Sequence, residues 1–88
     1  MSNGYIVKAH PKFLDDLKNL DKDILKRVYG AIEKLKENPL RFKRLRGTKF
    51  YRLRIGKYRL IYSVSGGEVR LLIFGRRSEV YGEMKKRI

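Results

Sequence analysis

The spacing of apolar residues changes twice along this chain. Tyr5 to Ala9 (YIVKA) is a short β-branched and aromatic run that predicts a first strand. From Pro11 the spacing turns helical: Phe13, Leu14, Leu17 and Leu20 recur at three- and four-residue intervals, and the proline suits a first helical position. Asp21 is a good N-cap for a second helix, with Ile24, Val28, Ile32 and Leu35 on one stripe and Asn38-Pro39 as its stop. Only Leu20 and its neighbours separate the two, so they form a helical hairpin with Leu14, Leu17, Val28, Ile32 and Leu35 as core. Pro39 to Lys49 (PLRFKRLRGTK) has no clean period and reads as a basic loop with room for a short turn of strand or helix. Three strands follow, Phe50–Ile55, Tyr58–Val64 and Val69–Phe74, joined by Gly56-Lys57 and by Ser65-Gly66-Gly67-Glu68. The expected architecture is one α+β domain over residues 1–88: an N-terminal strand, a helical hairpin and an antiparallel three-stranded meander. It forms one mostly antiparallel sheet with both helices packed on one face.

The first turn also predicts the register. Glycine at the first central position is what a type II′ turn demands, so Gly56-Lys57 as a two-residue loop pairs Ile55 with Tyr58. Counting outward, Leu53 lies opposite Leu60 and Tyr51 opposite Tyr62 on one face. Arg54 lies opposite Arg59, and Arg52 opposite Ile61, on the other. The first face is core and the second a guanidinium cluster. The same parity carried through Gly66-Gly67 puts Leu71 and Ile73 with the core, and Arg70, Leu72 and Phe74 with the arginines, leaving apolar patches on the cationic face.

Charge sharpens that picture. The chain has 23 Lys and Arg against 9 Asp and Glu, a formal +14, and no acidic residue lies between Asn38 and Gly67. Such an excess repels itself and attracts polyanions. Like charges directly opposite one another weaken a hairpin by up to about 1 kcal/mol, and nothing local offsets that cost, whereas guanidinium forks match phosphate oxygens in pairs. The plainer alternative is an open sheet face kept soluble by arginine. The absence of cysteine excludes disulfides and thiolate metal sites. With no metal-ligand spacing, glycine-rich phosphate loop or Ser/His/Asp set, no cofactor is expected. No apolar run reaches the ~18 residues that span a bilayer, and the N-terminus lacks signal-peptide features, so a soluble cytoplasmic protein is expected.

The order of elements resembles the RelE branch of the RelE/ParE toxin superfamily over essentially the whole chain. The resemblance rests on Tyr51-Arg52-Leu53-Arg54, Gly56-Lys57-Tyr58-Arg59-Leu60-Ile61-Tyr62 and the closing GRRSEVYGEMKKRI. The first two pieces mark the fold more than the activity; Arg77-Ser78-Glu79-Val80-Tyr81 is closer to the RelE nucleases. The resemblance implies a ribosome-dependent mRNA interferase. Such a toxin is a metal-independent endoribonuclease that acts through the 2′-hydroxyl, cuts the A-site codon and is neutralised by a RelB-like antitoxin. Carried over by position, catalytic roles fall on Arg52, Arg54, Arg59 and Tyr81. For a late catalytic arginine, alignment from Gly75 favours Arg76 and alignment back from Ser78-Glu79-Val80-Tyr81 favours Arg77; Arg77 is taken as catalytic and Arg76 as RNA-binding. Family members carry lysine where this chain has Arg52 and Arg54, and arginine, unlike lysine, does not give up its proton. Two other readings stay open: a ParE-like toxin that inhibits DNA gyrase without nuclease activity, and a non-catalytic basic RNA-binding module.

Cleaving RNA through its own 2′-hydroxyl needs a base, positive charge on the phosphorane and a proton for the departing oxygen. A single histidine, His10, excludes a two-histidine mechanism, and its position before Pro11 reads as structural. Tyr81 is then the candidate base, against the alternative that it packs or stacks on a nucleobase, with Arg52, Arg59 and Arg77 as phosphate clamps and Arg54 as clamp or steering charge. Arg41, Lys43, Arg44, Arg46 and Lys49 are expected to touch ribosomal RNA backbone, or else to form a solvated loop. Glu79 and Glu83 read as ion-paired surface.

Overall fold

The computed structural model describes residues 4–87. β1 (Ile6–Ala9) leads into α1 (Pro11–Asp16) and α2 (Lys22–Glu37). A 3-10 turn at Pro39–Arg41 and β2 (Lys43–Arg44) lie within the basic loop. Then come β3 (Phe50–Ile55), β4 (Tyr58–Ser65), β5 (Glu68–Arg76) and α3 (Arg77–Arg87). The five strands run in the order β1-β5-β4-β3-β2; β1 is parallel to β5 and all other neighbours are antiparallel. A parallel pair needs a long crossover, and the helical hairpin begins it.

Local chemistry explains the helix boundaries. His10 is the N-cap of α1: its backbone is extended and its Nδ1 accepts from the Lys12 N–H at 3.0 Å, so the lone histidine has a structural task. Asp21 occupies the N-cap of α2 without a side-chain capping bond, and Asn38 closes that helix before Pro39. Phe13, Val28, Ala31 and Leu35 bury against Leu53, Ile55, Leu60, Tyr62, Val69, Leu71 and Phe74 of the sheet. Leu14 departs from the expected core stripe and is 54% exposed. With six residues, α1 offers the sheet little more than one position, and Phe13 takes it.

The β3–β4 register is the one the turn predicts: Ile55 opposite Tyr58, Leu53 opposite Leu60, Tyr51 opposite Tyr62, Arg54 opposite Arg59 and Arg52 opposite Ile61. Gly56 has φ +58°, as a II′ turn requires, and among the described residues no non-glycine residue has positive φ. The parity fails in β5. Tyr62 pairs with Leu71 but Ile61 with Ile73, so Leu72 is an extra residue in a β-bulge. Beyond it the faces exchange: Phe74, opposite Leu60, joins the helical-hairpin core and stacks on Tyr58, while Ile73, opposite Ile61, joins the arginine side.

That side is not open. The C-terminal segment, left without a secondary structure by the apolar spacing, forms α3 and lays Val80 and Met84 over Phe50, Ile61, Leu72 and Ile73. The expected apolar patch of Leu72 and Phe74 is therefore absent: they are 8% and 4% exposed, one under α3 and the other in the opposite core. The two expected helices cover one face, and a third covers part of the other.

Tyr62 ties the sheet to the loop after α2. Its buried hydroxyl donates to the Pro39 carbonyl at 2.6 Å, its ring stacks on Tyr51, and burial pushes its phenol above the ordinary tyrosine value. The folded state thus resists losing a proton that the unfolded chain gives up near pH 10, so this group's stabilisation is full below about pH 10 and falls as the pH rises further. Tyr62→Phe should lower unfolding free energy by about 1–2 kcal/mol at neutral pH, and should blunt the alkaline loss of stability when urea midpoints are compared between pH 8 and 11.

Candidate nucleic-acid interface

Three strands build the cationic surface row by row. Arg54, Arg59 and Gly75 form one row across β3, β4 and β5; Lys43, Arg52, Ile61 and Ile73 form the next across β2 to β5. At Gly75 a Cβ would stand 3.4 Å from Val80 Cγ1, which is ordinary contact, so α3 lies close beside the Arg59 row without the glycine being required for it. α3 begins where β5 ends, and the Arg77 N–H donates to the Lys57 carbonyl at 3.2 Å, joining the helix start to the hairpin turn. One turn on, Tyr81 presents its hydroxyl 3.4 Å from an Arg52 guanidinium nitrogen, within reach of its hydrogen bond.

Arg59 is the unusual member. It is 3% exposed, the one charged residue among the buried described residues. One guanidinium nitrogen donates to the carbonyls of Gly56 and Tyr58 at 3.3 and 3.0 Å, and its buried Nε has no partner. Among the described residues no ion pair involves Arg52, Arg54, Arg59, Arg76 or Arg77. Burial first, and then the charges of Arg54, Arg52 and Arg77, hold the Arg59 guanidinium below its usual range, while Tyr81 acts in the opposite sense. A buried cation without a counter-ion, ringed by cations, is costly unless something external and anionic completes it.

The structure thus brings together Arg52, Arg54, Arg59, Arg77 and Tyr81. Arg76 is exposed at the end of β5, where with Lys57, Arg77, Ser78 and Tyr81 it lines a shallow open hollow. Lys57 is the residue that sequence reasoning missed; its signal was its place in the turn two residues before Arg59. Of the basic loop, Lys43 adjoins the cluster opposite Arg52. Arg44 lies opposite Tyr51, on the other face, with its Nε donating to the Thr48 carbonyl at 2.7 Å. Arg46 is exposed beside Gly47 at the hairpin tip, and Arg41 and Lys49 lie over the rings of Phe42 and Phe50. Glu83 is ion-paired with Arg87 and Lys86. Among the described residues no group of three or more His, Cys, Asp or Glu is placed to hold a metal ion.

Comparison with known proteins gives this arrangement a class. A family model described as the ParE toxin of the type II toxin–antitoxin system parDE matches residues 7–81, so fold and matched span define a toxin of that class. A chain of Methanocaldococcus jannaschii that bears the toxin name RelE1 is 39% identical over 85 residues, covering 90% of this chain and 93% of its own. Among solved structures, an arginine-to-alanine mutant of the E. coli toxin RelE in the free state aligns with a TM-score of 0.80 at 26% identity, over 97% of this chain and 98% of that one. The RelE–RelB complex of Pyrococcus horikoshii OT3 aligns at 0.75 and 30% identity, over 86% and 98%. This chain belongs to the RelE family of type II toxins.

An anion should relieve the charge around Arg59. Phosphate or sulfate at tens of millimolar is expected to raise the melting temperature more than chloride at equal ionic strength, and Arg59→Ala should remove most of the difference. Arg54→Ala should raise the urea midpoint in low salt and lose that advantage in high salt.

Proposed function

We propose that this toxin cuts mRNA in the ribosomal A site. The observation that carries the reading is Arg59: a buried guanidinium with no ion-pair partner among the described residues, in a cluster whose remaining members are three more arginines and a phenol. Phosphate is the anion that paired guanidinium forks fit, and the phenol supplies what a mere binding surface lacks, a group able to take a proton. In this mechanism Tyr81, in its phenolate form, receives the 2′-hydroxyl proton and becomes the neutral phenol as the 2′-oxygen attacks the adjacent phosphorus. Arg59, Arg52 and Arg77 hold the non-bridging oxygens as charge builds, and Arg54 steers the strand toward them. As the O2′–P bond forms the P–O5′ bond breaks, the departing 5′-oxygen takes its proton from solvent water, and a 2′,3′-cyclic phosphate remains. Arginines do not exchange protons readily, so the chemistry depends on the ribosome presenting the codon in an in-line geometry. Lys43, Arg41, Arg44, Arg46 and Lys49 would touch ribosomal RNA backbone, and Arg76 with Lys57 the codon's flanking phosphates. The complexes of related RelE toxins with RelB support an acidic, RelB-like antitoxin as the partner that silences this one.

On ribosomes programmed with a defined A-site codon, the wild-type chain should create a new 5′ end inside that codon, insensitive to chelators. Tyr81→Phe should slow cleavage by roughly 10²–10⁴-fold. Naked mRNA should be cut far more slowly. A second reading has one observation in its favour, the ParE description of the matching family model: inhibition of DNA gyrase with no nucleolytic step. Intact A-site codons together with blocked gyrase supercoiling would favour it.

A further inference from the structure

The far end of α3 is held by one guanidinium. Arg87 donates to both carboxylate oxygens of Asp16 at 2.8 and 3.0 Å, to the Leu72 carbonyl at 2.9 Å and to Glu83 at 2.9 Å. Asp16 in turn accepts from the Phe74 N–H at 3.0 Å. Both side chains are largely buried, at 8% and 17% exposed. The place is particular: β1 pairs with β5 only as far as Leu71, and Leu72 is the bulge residue. Asp16 and Arg87 thus meet the bare edge of β5 where β1 has ended, and join α1, the sheet and α3 at one point.

α3 has little else to fix its C-terminal half. Val80 is its one buried residue among those described, Met84 is half-buried, and the rest of that half is Gly82, Glu83, Lys85, Lys86 and Arg87. Its first residue is pinned by the Lys57 carbonyl. A helix rises about 1.5 Å per residue, so Tyr81 lies about 6 Å from that pivot and Arg87 about 15 Å. A 3 Å swing of the free end would carry Tyr81 roughly 1 Å from Arg52, a displacement that can cost on the order of 100-fold in rate.

We propose that the Asp16–Arg87 pair is a positioning latch, which holds Tyr81 of α3 against Arg52 of the sheet. Its catalytic consequence rests on the nuclease reading; its structural part does not. The chain has no cysteine, so spin labels on Lys85→Cys and Ser65→Cys report the helix position against the sheet without interference. One narrow distance is expected in the otherwise native protein, a broad distribution in Arg87→Met, and partial narrowing in Arg87→Lys. Asp16→Asn, nearly isosteric, serves as the variant if Arg87→Met does not fold.

On programmed ribosomes the same variant should lose about 10–100-fold in kcat with KM within about twofold, and Tyr81→Phe added to it should cost less than in the native background. An unchanged distance distribution would overturn the latch. A loosened helix with full kcat, or additive losses, would overturn its positioning role. If the native chain itself leaves the codon intact, the nuclease reading falls while the distance measurement still decides the latch.

Discussion

The pairing of β3 with β4 is the constraint on which both sides of this molecule depend. Side chains alternate with a period of two, so one residue of slippage would turn every arginine into the core and every leucine to the surface. The Gly56-Lys57 turn excludes that slip by admitting one register. One decision therefore creates two surfaces at once: an apolar one closed by α1 and α2, and a cationic one whose like charges are forced into opposition across the strands.

The acids are arranged so as not to quench that opposition. Asp16, Glu68 and Glu83 neutralise Arg87, Lys8, Arg70 and Lys86 around the periphery. None reaches the Arg52–Arg59 cluster among the described residues. A fold selected for stability alone would place a carboxylate beside a buried arginine, since an unpaired buried charge is among the more destabilising features a small domain can carry. Arg59 instead stays unpaired among the described residues, at the expense of the free protein, and the large opposite core makes that tolerable.

The site is also divided between two kinds of support. Arg52 and Arg59 stand on strands paired on both sides and Arg54 on the β3 end paired with β4, whereas Arg77 and Tyr81 ride on a helix with thin apolar anchorage. Such a division makes the relative position of sheet and helix the variable part of the assembly, and any contact that fixes α3 fixes the spacing of the cluster.

Local rules were enough for the alternation of the hairpin, the helical stripes, the His10 and Asn38 helix ends, and the density of arginine on one face, because each depends on residues a few positions apart. Two features lay beyond them. The bulge at Leu72 is invisible in an even run of apolar residues, since it is set by what each face must bury, and it moved Phe74 and Ile73 to faces opposite those the parity predicted. α3 was obscured because its polar sequence offers only Val80 and Met84, one turn apart, to a partner surface that exists once the sheet has formed. Neighbouring residues were enough for the β3–β4 register and for the charge that hairpin displays. Long-range packing, which no local pattern encodes, buried Arg59 without an ion-pair partner among the described residues and brought Asp16 to Arg87 from 71 residues away.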